Sequence, residues 1–142
     1  INPYWMQRFP DEYLRMFADA PIASANISLQ SGSDRILALM SRRYEADRVI
    51  DLVDQVQRIS PETMIYTHLL LGFPTESWRD FRSTARAARH FHYLTCFLYS
   101  PRRGSAAAEL PDDVPHAVKV ARKRIIHSMY VGRLVKGAVR GR

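Results

Sequence analysis

The sequence predicts an α/β fold of serial βα units on a parallel sheet, and three observations carry that prediction. Short apolar or alternating runs at residues 23–30, 63–71 and 94–99 are separated by longer stretches of helical periodicity. Three blocks sit where such a run gives way to a helix or loop, at residues 29–34, 71–76 and 99–104. That edge of a parallel sheet is where ligands bind. The chain has 142 residues, 46% hydrophobic and 25% charged, which suits one globular domain with a real core.

Each element has its own signal. Residues 10–20 predict a short helix with Tyr13, Leu14 and Phe17 on one stripe. In the strand at 23–30, Asn26, Ser28 and Gln30 alternate with Ala25, Ile27 and Leu29. One face is apolar, for helices, and one is polar, for a wet cavity. Ser33 and Asp34 cap a short helix that runs to Met40. Residues 46–59 predict an amphipathic helix on Val49, Leu52, Val53 and Val56, ended by Ser60 and Pro61. After the strand at 63–71, residues 77–92 predict a helix with Trp78, Phe81, Ala85 and Ala88 inward. Ser77 and Asp80 have the spacing of a capping box. After the strand at 94–99 and a loop at 100–113, a helix is expected from 114 to about 136, with Val118, Ala121, Ile125 and Met129 on its buried side. Three strands, with room for a stub of a fourth at Ile1, cannot close a barrel and leave two open edges.

The net charge is +7. Residues 114–142 hold 8 of the 21 Lys and Arg and none of the 14 acids, which leaves 13 basic against 14 acidic residues before them. The chain therefore divides into 1–113 and a basic terminal helix and tail, 114–142. A one-signed segment can hold a polyanion such as RNA, or be a solvated face. The single cysteine, Cys96, excludes an internal disulfide and suits a reducing cytoplasm. No apolar run reaches a membrane span, and no signal peptide is evident. The start at Ile1, without Met, reads as a cut from a longer chain.

Taken together, the blocks resemble the second half of the catalytic domain of radical S-adenosylmethionine (SAM) enzymes, most closely the methylthiotransferase branch. Gln30 to Asp34 and Met40-Ser41-Arg42-Arg43-Tyr44 match its Gln-Ser-Gly-Ser-Asp and Met-x-Arg-Arg-Tyr. Gly72-Phe73-Pro74-Thr75-Glu76-Ser77 matches Gly-Phe-Pro-Gly-Glu-Thr, and residues 99–107 match Tyr-Ser-x-Arg-x-Gly-Thr-x-Ala. The resemblance covers roughly residues 22–126 and implies a partial (β/α) barrel. His68 stands where the branch places Asp, Thr75 where it has Gly, and Ser28 where it often has Pro. The Cys-x-x-x-Cys-x-x-Cys loop that binds a 4Fe–4S cluster is absent, as is the small RNA-binding barrel that usually follows.

By this resemblance Gln30 and Ser31 lie near the ribose and amino-acid part of SAM, Gly72, Phe73 and Pro74 lie beside the adenine, and Tyr99 is a further cofactor-binding residue. Arg43, His68, Arg102 and Arg103 fall on the substrate side, as forks and a donor for phosphate or carboxylate. Plainer roles stand beside these: a turn, surface ion pairing for each Arg, a packed core imidazole for His68. Glu76 suits a helix N-terminus, and His90 and His92 a helix C-terminus. No catalytic and no metal-binding residue is assigned. SAM and the cluster belong to the parent protein, so the chain alone is expected to bind neither cluster nor SAM tightly and not to catalyse. Expected partners are the rest of the parent barrel, a second copy, or RNA. A cobalamin-associated radical SAM relative also fits. The rival is a non-catalytic α/β module that binds RNA or an acidic partner through the basic C-terminal helix.

Overall fold

A computed structural model describes residues 1–101, 104 and 106–140. Helix α1 (Pro3–Arg8) comes first, where the sequence reading allowed a strand stub. Its start signal lay in plain view: Asn2 accepts the Tyr4 N–H at 3.0 Å, and Pro3 takes the first turn. The Ile1 amino group meets the Asn26 carbonyl at 2.5 Å. Helix α2 (Pro10–Asp19) follows, then β1 (Ser24–Asn26), α3 (Asp34–Leu39), α4 (Ala46–Ile59) and β2 (Met64–Leu71). Helix α5 (Trp78–Ala87), with a 3-10 turn at Ala88–His90, leads to β3 (Tyr93–Leu98), and α6 (His116–Arg140) ends the chain. Among the described residues no helix is long and apolar enough to cross a membrane.

The three strands form one parallel sheet in sequence order, β1–β2–β3, as serial βα units require. Strand β1 is shorter than its alternation suggests, because Thr67 interrupts the ladder. The Leu29 N–H goes to Thr67 Oγ1 at 3.1 Å instead of to a backbone carbonyl, and pairing resumes only at Gln30 with Leu69.

The sheet has two unlike faces. Ile27, Leu29, Ile65, Leu69, Leu71 and Cys96 point to the helices and join Val49, Val53, Val56, Phe81 and Phe91 in the main core. The other face carries Asn26, Ser28, Tyr66, His68, Tyr93, Thr95 and Phe97 and is open, with Phe97 half exposed. The β1 alternation predicted this division.

Two inward stripes differ from expectation. On α5, Phe81, Ala85 and Ala88 are buried, but Trp78 is 52% exposed. On α6, Val118, Ala121 and Ile125 face solvent, and the seam is one residue on: Lys119, Arg122, Ile126 and the half-buried Met129. The i, i+3, i+7 period is right. Its phase is set by two cations that find acidic partners, which an apolar-only stripe leaves out.

Candidate functional site

The C-terminal rim of the sheet is made by the turns after β1, β2 and β3. After β1, Gln30 keeps its backbone in the ladder, its N–H bonding the His68 carbonyl and its carbonyl taking the Leu70 N–H, both at 2.8 Å. It does so at φ +67°, a left-handed conformation that costs a non-glycine residue about 1 kcal/mol or more. Its side chain is half-buried, and no hydrogen bond among the described residues holds the amide. Ser31 does not face the cavity: it is fully buried, its Oγ lies 3.2 Å from Thr84 Oγ1, and it accepts the Ser33 N–H at 3.1 Å. The polar alternation that suggested a cofactor contact ends at Gln30, where the left-handed turn swings the next residue toward α5.

Gly32 lies against the same helix, so closely that a Cβ there would sit 2.5 Å from the Ser83 carbonyl. Ser33 precedes α3 without capping it; its hydroxyl donates to Asp80 Oδ1 at 2.6 Å. Asp34 accepts the Ala46 N–H at 2.7 Å and so serves the start of α4.

After β2 the chain turns at Gly72 (φ +72°), whose N–H donates to Glu76 Oε2 at 2.8 Å. Glu76 is buried and pairs with Arg122 of α6 at 2.6 Å, while Arg122 Nη2 also donates to the Glu76 carbonyl at 3.0 Å. Burial pushes the Glu76 carboxyl up, against the opposing pull of the Gly72 N–H and Arg122. Its Oε1 and Arg122 Nε are buried and have no hydrogen-bond partner among the described residues. The helix-dipole role expected for Glu76 is thus replaced by a buried ion pair. Thr75 adopts φ +64°, a left-handed conformation awkward for a β-branched residue and natural to glycine. Arg35 holds it, donating to Thr75 Oγ1 and to its carbonyl at 3.0 and 2.6 Å.

The capping box of α5 forms as predicted: the Ser77 side chain accepts the Asp80 N–H, and Asp80 accepts the Ser77 N–H at 2.9 Å. Burial alone would raise the Asp80 carboxyl, but bonds from Arg35, Ser33 and Ser77 hold it well below the usual carboxylate range.

Phe73 and Tyr99 are not open to a ligand. With Ile36 they form a second small core, their rings 5.1 Å apart, covered by Ala107 and Leu110. The Tyr99 hydroxyl donates to the Ala107 carbonyl at 2.8 Å. Pro74 is buried, and so is Gly72, where a Cβ would sit 2.3 Å from Lys119 Cγ. The space a Gly72 side chain would take is therefore filled by the Lys119 stem. Lys119 Nζ donates to the Tyr99 carbonyl at 3.1 Å and meets Asp112 at 2.6 Å. Sequence reading missed Lys119 and Arg122, although their spacing with Ile126 and Met129 was a signal.

On the open face, Asn26, Ser28 and His68 form a closed ring of hydrogen bonds. Asn26 Nδ2 can only donate, so His68 Nε2 accepts it at 3.1 Å. The neutral imidazole then carries its proton on Nδ1, which meets Ser28 Oγ at 3.2 Å, and Ser28 Oγ donates to Asn26 Oδ1 at 3.0 Å. Phe97 packs edge-on to the His68 ring at 5.5 Å, and Tyr66 stacks on Tyr93 at 5.3 Å. His68 is thus half-buried on the cavity side, not a core imidazole. The face offers uncharged donors and acceptors beside aromatic rings, a surface suited to a flat polar group.

Arg43 is exposed elsewhere, in a shallow pocket of about 350 Å³ with Asn2, Tyr4, Trp5 and Arg42. Arg102 and Arg103 lie outside the described residues. His90 pairs with Asp54 at 2.8 Å, and His92 Nδ1 accepts the Ile65 N–H at 3.0 Å, so neither serves merely as a helix-end charge. Cys96 is buried on the helix side, and burial pushes its thiol up to about 11. A cluster held by three thiolates does not fit this residue set.

The sequence was compared with known proteins. The Radical SAM superfamily matches it over residues 1–88. A tRNA-2-methylthio-N(6)-dimethylallyladenosine synthase of Mycolicibacterium vanbaalenii is 42% identical over 78% of this chain and 22% of its own length. Proteins of the same description from Pseudothermotoga lettingae and Neisseria gonorrhoeae are 35% and 33% identical, over 93% and 87% of this chain and 34% and 29% of theirs. The chain spans between about a fifth and a third of the length of these curated relatives.

Proposed function

The chain belongs to the radical SAM superfamily, and from that premise we propose that it is the C-terminal part of a methylthiotransferase-like catalytic barrel acting on RNA. The observation that carries the reading is the open face. Asn26, Ser28 and His68 form an uncharged polar patch between Tyr66 and Phe97, on the side of the sheet opposite the main core, which Tyr130 of α6 borders at Tyr93. In a closed barrel this face lines the interior, and its aromatic flanks suit a nucleobase.

Gln30 is the residue offered to SAM. It sits at the rim in a strained backbone conformation, its amide has no hydrogen-bond partner among the described residues, and an amide binds ribose hydroxyls without adding charge. SAM supplies a radical when it is reductively cleaved; this chain's part is to bind and orient. The cluster belongs to residues beyond those given, since the lone buried Cys96 cannot hold it.

The reading frame that contains this chain should be expressed, reconstituted anaerobically and assayed for SAM cleavage to 5′-deoxyadenosine and for methylthio transfer to tRNA. Cleavage with transfer is the expected result. A reconstituted protein that does not cleave SAM overturns the reading. His68→Ala should weaken substrate binding while SAM cleavage without substrate persists.

A further inference from the structure

The outer face of α5 carries a row of exposed arginines. Arg79, Arg82 and Arg86 are exposed and recur at i, i+3 and i+7, so they fall within about 60° of arc over about 10 Å of helix. Arg89 continues the row beyond the helix and has its own contact within the fold. The row lies opposite Thr84 and Ala88, the buried side of α5. Among the described residues none of the three makes an ion pair. The acid on α5, Asp80, is buried and bound to Arg35.

Like charges three and four residues apart repel, so the row costs stability, and among the described residues no ion pair offsets it. Beside it stands Trp78, 52% exposed, its indole tilted on Phe81 at 5.0 Å. A groove of about 520 Å³ runs along the row toward α3 and α4, lined by Arg35, Arg79, Arg86 and His90. Asp34, Asp47 and Asp80 line this groove as well: Asp34 caps α4 and Asp80 is bound to Arg35, while Asp47 has no ion pair among the described residues; Arg82 lies outside the groove.

We propose that the Arg79–Arg82–Arg86 ridge with Trp78 is a docking surface for the sugar-phosphate backbone of an RNA. It lies on the outside of the sheet–helix layers, away from the open face. Guanidinium forks match phosphate oxygens bidentately, and an exposed indole gives an unpaired base a stacking platform. An acidic protein segment could meet the charges but would leave Trp78 without a role. The choice of RNA rests in part on the proposed function; the anionic character of the partner rests on the ridge alone.

The test uses the chain and its triple variant Arg79→Gln/Arg82→Gln/Arg86→Gln, with a fluorescein-labelled RNA stem-loop titrated across a salt series. Circular dichroism first checks that the variant folds. The slope of log affinity against log salt should fall by about 2 to 3, and affinity at low salt by about tenfold or more. Trp78→Ala should lower affinity with no change in slope. Equal slopes for variant and parent overturn the proposal, as does tighter binding of poly-glutamate than of the RNA. In the reconstituted longer protein the triple variant should cleave SAM at the parent's rate without substrate. Failure of that cleavage in the parent itself sinks the catalytic reading and leaves the ridge result standing.

Discussion

Helices α5 and α6 both carry rows of cations, and they use them in opposite ways. On α6, Lys119 and Arg122 are buried, 3% and 5% exposed, and bound to Asp112, Glu76 and the Tyr99 carbonyl. On α5, Arg79, Arg82 and Arg86 are exposed and make no ion pair among the described residues. Charge counted along the sequence points the other way. It places the basic surplus after residue 113 and calls the region before it neutral. The balance is correct as a sum, but Asp34 and Asp80, which line the same groove as Arg79 and Arg86, are already taken up by the Ala46 N–H and by Arg35. The lesson is that a cation's function follows from its partners in space. The α6 cations fasten a helix to the rim, whereas the α5 cations are available to something outside.

The largest test of this contrast breaks the inner pair. Glu76→Ala leaves Arg122 buried and unpaired and removes the acceptor of the Gly72 N–H, and should cost about 3–5 kcal/mol in urea unfolding. Adding Arg122→Met should recover much of that loss. An effect below about 1 kcal/mol for Glu76→Ala would mean that the pair is not formed.

Next comes Asp80, which joins α5 to α3. Its carboxyl is held below the usual range when folded, so its contribution is present above the unfolded value of about 3.9 and is lost as pH falls through the folded value. Unfolding free energy measured against pH should fall on the acid side, below about pH 4. Asp80→Asn should lower stability at neutral pH and flatten that fall. A variant with an unchanged acid limb would show that other carboxylates set it.

A smaller change should stabilise. Thr75 sits at φ +64° between the Arg35 guanidinium and the Asp113 carboxylate, which accepts its N–H at 2.7 Å. Thr75→Gly relieves the left-handed strain and loses the bond to Thr75 Oγ1, for a net gain of about 0.5–1 kcal/mol. A lower melting temperature would mean that the Arg35 bond outweighs the strain.

The smallest expected effect sharpens the contrast most. The triple ridge variant on α5 should shift stability by about 0.5 kcal/mol or less, upward if anything, because it removes only repulsion between exposed groups. A clear loss in thermal unfolding would show that the ridge is structural after all.

Much of the fold was legible because its causes are local. The period of two in residues 23–30 marked the wet face of β1, and the period of 3.6 in 46–59 gave α4 with its bounds. Ser77 and Asp80 announced the start of α5, and the three blocks marked the rim. Within the site, His68 lies on the open face with Asn26 and Ser28 as the alternation implies, and Gln30 is half-buried at the rim. Ser31, Phe73 and Tyr99 do not face the cavity, because a left-handed turn and the cover of Ala107 and Leu110 redirect them.

The sequence by itself determined the order of strands and helices and which strand face is polar, since neighbouring residues settle both. Tertiary structure decided which charges are buried and which polar groups close a ring. Arg122 meets Glu76 across 46 positions, His68 meets Asn26 across 42, and Asp80 meets Ser33 across 47. A cation enters the core only where a distant acid already waits, because an unpaired buried charge costs more than packing returns. No count along the chain contains that partner. Among the described residues, the same long-range placement leaves Arg79, Arg82 and Arg86 without an ion pair.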